Sequence, residues 1–385
     1  MSPSSNSSWG PILAAAVSLV LVHGMGRFVY TPLLPLLVED GLITLGQAAS
    51  LASWNYVGYL AGAMLALWLF QRRMSHRGLL MSIIASAGIT LLQTQTEHYE
   101  TLLWLRLLNG ISNGVVFVLA PAQVLEWLVR HNKGHLSGLM YLGVGVGLLS
   151  SSALVDATPM LSGADRWWPA ALVAIPLAAW SGWYLYRLPA AHPASEQQQR
   201  PALLDRASLP LFAAYAGAGL GYILPMTFLP AVSQQWQLSI QPSAWLVVAL
   251  ASLPSTWLWN HLGARLGDKP ALLANYALQA AGVAALLWFD HSLTGLWLCA
   301  ALVGGTFLGS VLLTQRLARQ LHPHQGPRLS AALIALYGFT QLLGPWLARL
   351  GLEHGMELSS TFIVGLAALV WAWLLMWWVP ADARS

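Results

Sequence analysis

The chain has 385 residues, 57% of them hydrophobic and only 8% charged, with a formal net charge of +4. A soluble domain carries about 25% charged residues, so a water-facing exterior is excluded and lipid must cover most of the surface. The basic residues are scattered in small groups rather than gathered on one face, which argues against a nucleic-acid partner.

The opening MSPSSNSSWG holds no Lys or Arg, so the basic region of a cleaved signal peptide is missing and the first apolar run is expected to stay in the protein. That run, near 11–37, is the first of twelve long enough to supply the ~20 apolar residues of a membrane span. It contains Arg27. An arginine at mid-bilayer costs about 2.5–3.5 kcal/mol on insertion scales, so it is kept against a protein interior or watery cavity unless it snorkels to the headgroups. His23, Arg27 and Tyr30 follow at i, i+4 and i+7, which predicts one polar face on an oily helix. His23 has two readings, a packed neutral side chain or a proton carrier. Gly24 and Gly26 allow close helix approach, and Pro32 and Pro35 bend the far end.

The second span, near 46–70, sets Asn55 and Tyr59 on one stripe, and the loop QRRMSHRG at 71–78 brings Arg73. After a third span near 78–95, the fourth, near 99–128, places Arg106, Asn109 and Asn113 on one stripe beside Gly110 and Gly114, with Glu126 close to its end. Arg106 is either a solute or coupling residue or a brace that holds helices together through backbone carbonyls. GISNG at 110–114 formally fits the GxSxG of serine hydrolases, but that arrangement works on a sharp strand-to-helix turn and here falls in mid-helix. The fifth span, near 137–155, carries Gly143, Gly145 and Gly147, and the sixth lies near 167–187.

Residues 188–207, rich in Gln, Ala and Pro, read as a flexible cytoplasmic linker that separates an N-terminal six-helix bundle, 1–187, from a C-terminal one, 208–385. Spans follow near 208–230, 243–262, 270–289, 293–316, 328–350 and 358–379. They carry the stripes Tyr215 with Tyr222 and Tyr337 with Gln341, and the loop GARLGDKP at 263–270 brings Arg265 and Asp268. Cys299 is the single cysteine, so no intrachain disulfide forms, and no residue spacing calls for a cofactor or a metal.

Two short matches, TLLWL at 101–105 with TGLWL at 294–298 and HLSG at 135–138 with RLSA at 328–331, share an offset of 193 residues and suggest two parallel repeats. Of the 18 Lys and Arg, fourteen fall in one set of loops, only Arg166 and Arg349 in the opposite set, and the remaining two are Arg27 and Arg106 inside spans. By the positive-inside rule both termini are then cytoplasmic in a bacterial inner membrane.

The segments GMGRFVYTPLLP at 24–35 and ASWNYVGYLAGA at 52–63 resemble signatures of the YbfB/YjiJ group of the major facilitator superfamily. Arg106 with Gly110 and Gly114 is similar to the superfamily's fourth-helix RxxxGxxxG pattern, linked there to proton coupling. The 71–78 loop lacks the acid of the basic-acidic gating pattern, whereas Asp268 is present at its counterpart. The resemblance implies an all-α membrane protein of the major facilitator fold, working as a secondary transporter by alternating access. Two buried arginines without mid-membrane acids favour a small organic anion, bound by Arg27, His23, Tyr30, Asn55, Tyr59, Arg106, Asn109, Asn113, Tyr222, Tyr337 and Gln341. His23, Arg106, Glu126, Arg73, Arg265 and Asp268 are the expected coupling and gating residues. Protons and the lipid bilayer are the other expected partners, and the chain is expected to act as a monomer. Export of amphipathic drugs is the alternative. A membrane-embedded enzyme is disfavoured because no HExxH, paired acids or nucleophile site occurs at membrane depth.

Overall fold

The computed structural model describes residues 9–189, 205–206, 208–238, 243–321 and 326–380. The expected linker at 188–207 falls outside the described residues except at 188, 189, 205 and 206. Within them there are twelve long helices and no strand. We number them α1, Trp9–Glu39; α2, Leu45–Gln71; α3, Ser75–Leu92; α4, Tyr99–Arg130; α5, Leu142–Asp156; and α6, Trp168–Arg187. The second six are α7, Leu209–Gln235; α8, Ala244–Leu266; α9, Asp268–Trp288; α10, Leu293–Leu321; α11, Gly326–Glu353; and α12, Phe362–Leu375. Helices are the expected answer to a lipid solvent, because every backbone polar group must be paired within its own segment. Among the described residues, eight of these segments are long and apolar enough to cross a membrane. The other four, α2, α6, α8 and α11, are interrupted by polar groups or prolines such as Asn55, Pro176, Asn260 and Gln341.

The chain divides into two compact units, one of Met1–Leu42 with Val57–Glu196, the other of Ile43–Tyr56 with Gln197–Ser385. In the first unit, α3 packs on α4 and α6, and the middle of α1 packs on α5. That middle is unusual: Val20–Phe28 is a π-helix set between α-helical ends. The Val29 N–H donates to the Gly24 carbonyl at 2.9 Å, five residues back, and the four-residue spacing has resumed by Leu33, whose N–H reaches Val29 O. Wide π turns of this kind concentrate at functional sites.

Glycines let the backbones of the first unit touch. A Cβ on Gly24 would lie 2.7 Å from the Cα of Gly147, and one on Gly143 would lie 2.1 Å from Ala16 O, so α1 and α5 meet backbone to backbone. Gly58, Gly62 and Gly114 do the same for α2 and α4. In lipid, where burying apolar area drives little association between helices, such close van der Waals contact is a main source of cohesion.

At one end of the first unit a strap closes over the helix termini. Arg166 makes a bidentate pair with Asp40, Nε to Oδ2 at 2.6 Å and Nη2 to Oδ1 at 2.8 Å, and the Gly163 N–H donates to Asp40 Oδ2 at 2.8 Å. Gly163 has φ +61°, a conformation that glycine adopts without strain. Arg166 beside Asp40, chiefly through this hydrogen bonding, holds the carboxyl below its usual value of 3.8. A depressed folded pKa stabilises the fold above the unfolded value, and that contribution disappears as pH falls through the folded one. Asp40→Asn is therefore expected to lower the melting temperature by a few degrees at pH 7, and the difference from wild type should close in melts taken well below pH 4. A constant offset across that range would remove the ion pair from the account.

In the second unit, α10 lies against α8 and α9, while α7 lies against α11 and α12. Polar side chains cross-link these contacts, as Trp259 Nε1 does to Gly305 O at 2.7 Å and Asn275 Nδ2 to Thr306 O at 3.0 Å. The first part of α2 joins this unit through Tyr56 to Thr227, 3.1 Å between hydroxyls, and Ser50 to Arg349, 3.0 Å.

Candidate solute-binding site

In the first unit the candidate residues gather around the π segment of α1. Arg27 is buried, at 6% exposure, so it does not snorkel out of the protein. Its guanidinium lies over two rings, 5.1 Å from the centroid of Phe28 and 5.2 Å from that of Tyr59. His23 shares Tyr59 at 6.4 Å and packs on Phe117 at 4.9 Å and Phe28 at 5.9 Å. Tyr30 departs from the expected common face. It lies under Arg106, 4.4 Å from that guanidinium, and stacks on Trp167 at 6.3 Å. A π turn takes about one residue more than an α turn, so the face on which His23 and Arg27 lie is out of phase with Tyr30 beyond it.

The α4 stripe converges as its spacing predicts. Arg106 donates to Gly26 O at 2.8 Å, and Asn113 Nδ2 donates to Asn109 Oδ1 at 3.0 Å. Both asparagine side chains lie close over Gly26, where a Cβ would come within 3.0 Å of Asn113 Oδ1 and 3.1 Å of Asn109 Oδ1. Arg106 thus bonds a carbonyl of the π segment itself, the bracing geometry rather than one turned wholly toward a solute.

The second unit holds a column of parallel rings. Tyr215 stacks on Tyr337 at 4.5 Å, Tyr337 on Tyr222 at 5.2 Å, and Tyr222 on Phe307 at 5.8 Å, while Gln341 Nε2 donates to the Tyr222 hydroxyl at 2.6 Å. Asn55, on the part of α2 assigned to this unit, is buried.

The expected gating residues are dispersed. Glu126 pairs with Arg130 one turn on, at the partly exposed end of α4. Asp268 is buried in the first turn of α9, where it accepts from Arg316 Nε at 3.2 Å and Gln320 Nε2 at 2.7 Å. Arg316 also donates to Asn260 Oδ1 at 2.7 Å. Arg265 and Arg73 are exposed, the latter in a turn with φ +58°. Sequence reasoning missed Arg316 and Gln320, as well as Phe28, Phe117 and Phe307. Arg316 was legible only as a topology signal, and phenylalanines in an apolar helix carry no signal of their own.

A family model described as an uncharacterised MFS-type transporter, YbfB, matches residues 19–377. The chain belongs to this YbfB-type family. A Haemophilus influenzae relative described as a "Putative metabolite transport protein" is 26% identical over 290 residues, covering 69% of this chain and 70% of that protein. Human synaptic vesicle glycoprotein 2B is 28% identical over 141 residues, which is 36% of this chain but only 21% of the longer human protein. Among solved structures, a D-xylose–proton symporter aligns with TM-score 0.77 and 15% identity over 98% of this chain and 99% of its own. The nucleoside transporter NupG aligns with TM-score 0.71 and 13% identity over 98% and 100%. At such identities the likeness establishes the major facilitator fold. The family match makes the YbfB-type chain a membrane transporter and not an enzyme.

Proposed function

We propose that this YbfB-type protein is a secondary transporter that moves a small organic anion across the bacterial inner membrane by alternating access, with both termini in the cytoplasm. Arg27 receives the anionic group, with His23, Tyr59, Asn109 and Asn113 around it. The observation that carries this reading is a guanidinium buried between rings, in an interior whose one buried carboxylate among the described residues is Asp268. Such a site is positive before a solute arrives, and a charge kept there at the cost of desolvation points to a ligand of opposite sign. The fold shared with a proton symporter supports coupling to protons.

The test is a pH-sensitive dye inside proteoliposomes. One or more members of a panel of small organic acids should drive a proton flux above that of protein-free liposomes. A flux raised only by sugars or nucleosides would overturn the anion reading. The column of Tyr215, Tyr337, Tyr222 and Phe307 favours a second reading, export of amphipathic cations held on ring faces, which resistance assays on a deletion strain would reveal.

A further inference from the structure

We infer that the solute is a planar aromatic monocarboxylate, whose ring lies along Phe117 and Tyr141 while its carboxylate meets the edge of Arg27. This rests on the reading that Arg27 receives an anion. The rings of Phe28 and Tyr59 lie over the guanidinium at 5.1 Å and 5.2 Å, which directs polar recognition to its in-plane N–H fork. That fork matches the two oxygens of a carboxylate.

The surroundings of the fork are aromatic in a continuous run. Phe117 lies 4.9 Å from His23, 5.9 Å from Tyr59 and 6.1 Å from Tyr141. Its ring is inclined by 51° to Tyr59 and by 65° to Tyr141, so faces and edges are both presented. Aromatic ligands gain from such tilted and edge-to-face neighbours beyond the area they bury, whereas a saturated chain gains the area alone. Phe28, Tyr59, His23 and Arg27 are buried, while Phe117 and Tyr141 are partly exposed, so Phe117 and Tyr141 form the approachable rim of the cluster. One carboxylate is expected rather than two, because the second buried guanidinium, Arg106, is turned to Gly26 O and to the ring of Tyr30.

The full chain purified in detergent is titrated by calorimetry with benzoate, cyclohexanecarboxylate and benzamide. These are an aromatic acid, a saturated acid of similar size and an uncharged aromatic. Benzoate should bind about three- to tenfold more tightly than cyclohexanecarboxylate, the range set by one or two good ring contacts. Benzamide should not bind measurably. Phe117→Leu should erase most of the preference, and the wild-type panel alone decides should that variant fail to fold. Equal affinity for the two acids in wild type overturns the aromatic inference and leaves the anion reading standing. Benzamide binding as tightly as benzoate, or no binding of either acid, overturns both.

Discussion

Arg27→Gln should reduce transport by the reconstituted protein to the level of protein-free liposomes, while insertion and the melting temperature change little. The side chain loses its charge and its fork but keeps much of its length, so the packing between Phe28 and Tyr59 is largely preserved. The structural loss includes the cation–π contribution, about 1–2 kcal/mol at a desolvated site. The functional loss is larger, because an anion entering a low-dielectric interior without its counter-charge meets the full desolvation penalty. Arg27→Lys separates the two parts of the claim: it restores the charge as a point but not the planar pair of donors, and should recover a minor fraction of the rate. Transport by Arg27→Gln at the wild-type rate would sink the proposed anion site.

Gly62→Val should prevent recovery of folded protein, or lower its stability by more than about 3 kcal/mol, because no rotamer change can relieve the clash. A Cβ at Gly62 would sit 2.1 Å from the carbonyl oxygen of Ile111, and the obstacle is backbone of a facing helix rather than a side-chain tip. A Cβ on Gly114 would likewise meet the backbone carbonyl oxygen of Tyr59 across the same contact, so α2 and α4 would have to separate along their length. Gly88→Ala is the matched control, since nothing lies within 4 Å of a Cβ there, and it should be neutral or slightly stabilising. Monodispersity and thermal melts of the two variants read the difference directly. A well-folded Gly62→Val would show that this helix contact has room to give.

Much of the architecture was readable because lipid imposes a coarse code: apolar runs about as long as the bilayer is thick, broken by short polar loops. The twelve helices lie where the twelve runs lie. The burial of Arg27 and Arg106 was readable for a related reason, since a charge inside a span has few tolerable places to go. The two arginines that broke the loop-charge bias turn out to be paired, Arg166 with Asp40 and Arg349 with Glu353.

What the sequence hid is long-range or backbone in origin. Asp268 and Arg316 are 48 residues apart, and Asp40 and Arg166 are 126 apart, so local spacing does not join either pair. The wide turns of Val20–Phe28, which pack against α4 and α5, were not read from the sequence either. The same turns separated Tyr30 from His23 and Arg27, which an uninterrupted 3.6-residue period would have kept in line.

Because α1 changes its hydrogen-bond register midway, its two α-helical ends are phased independently of each other. Dropping one residue between Val20 and Phe28 would not simply shorten the rod. It would let the wide turns close as ordinary α turns, so that Trp9–Leu19 and Tyr30–Glu39 keep the flanks that each now offers to its neighbours.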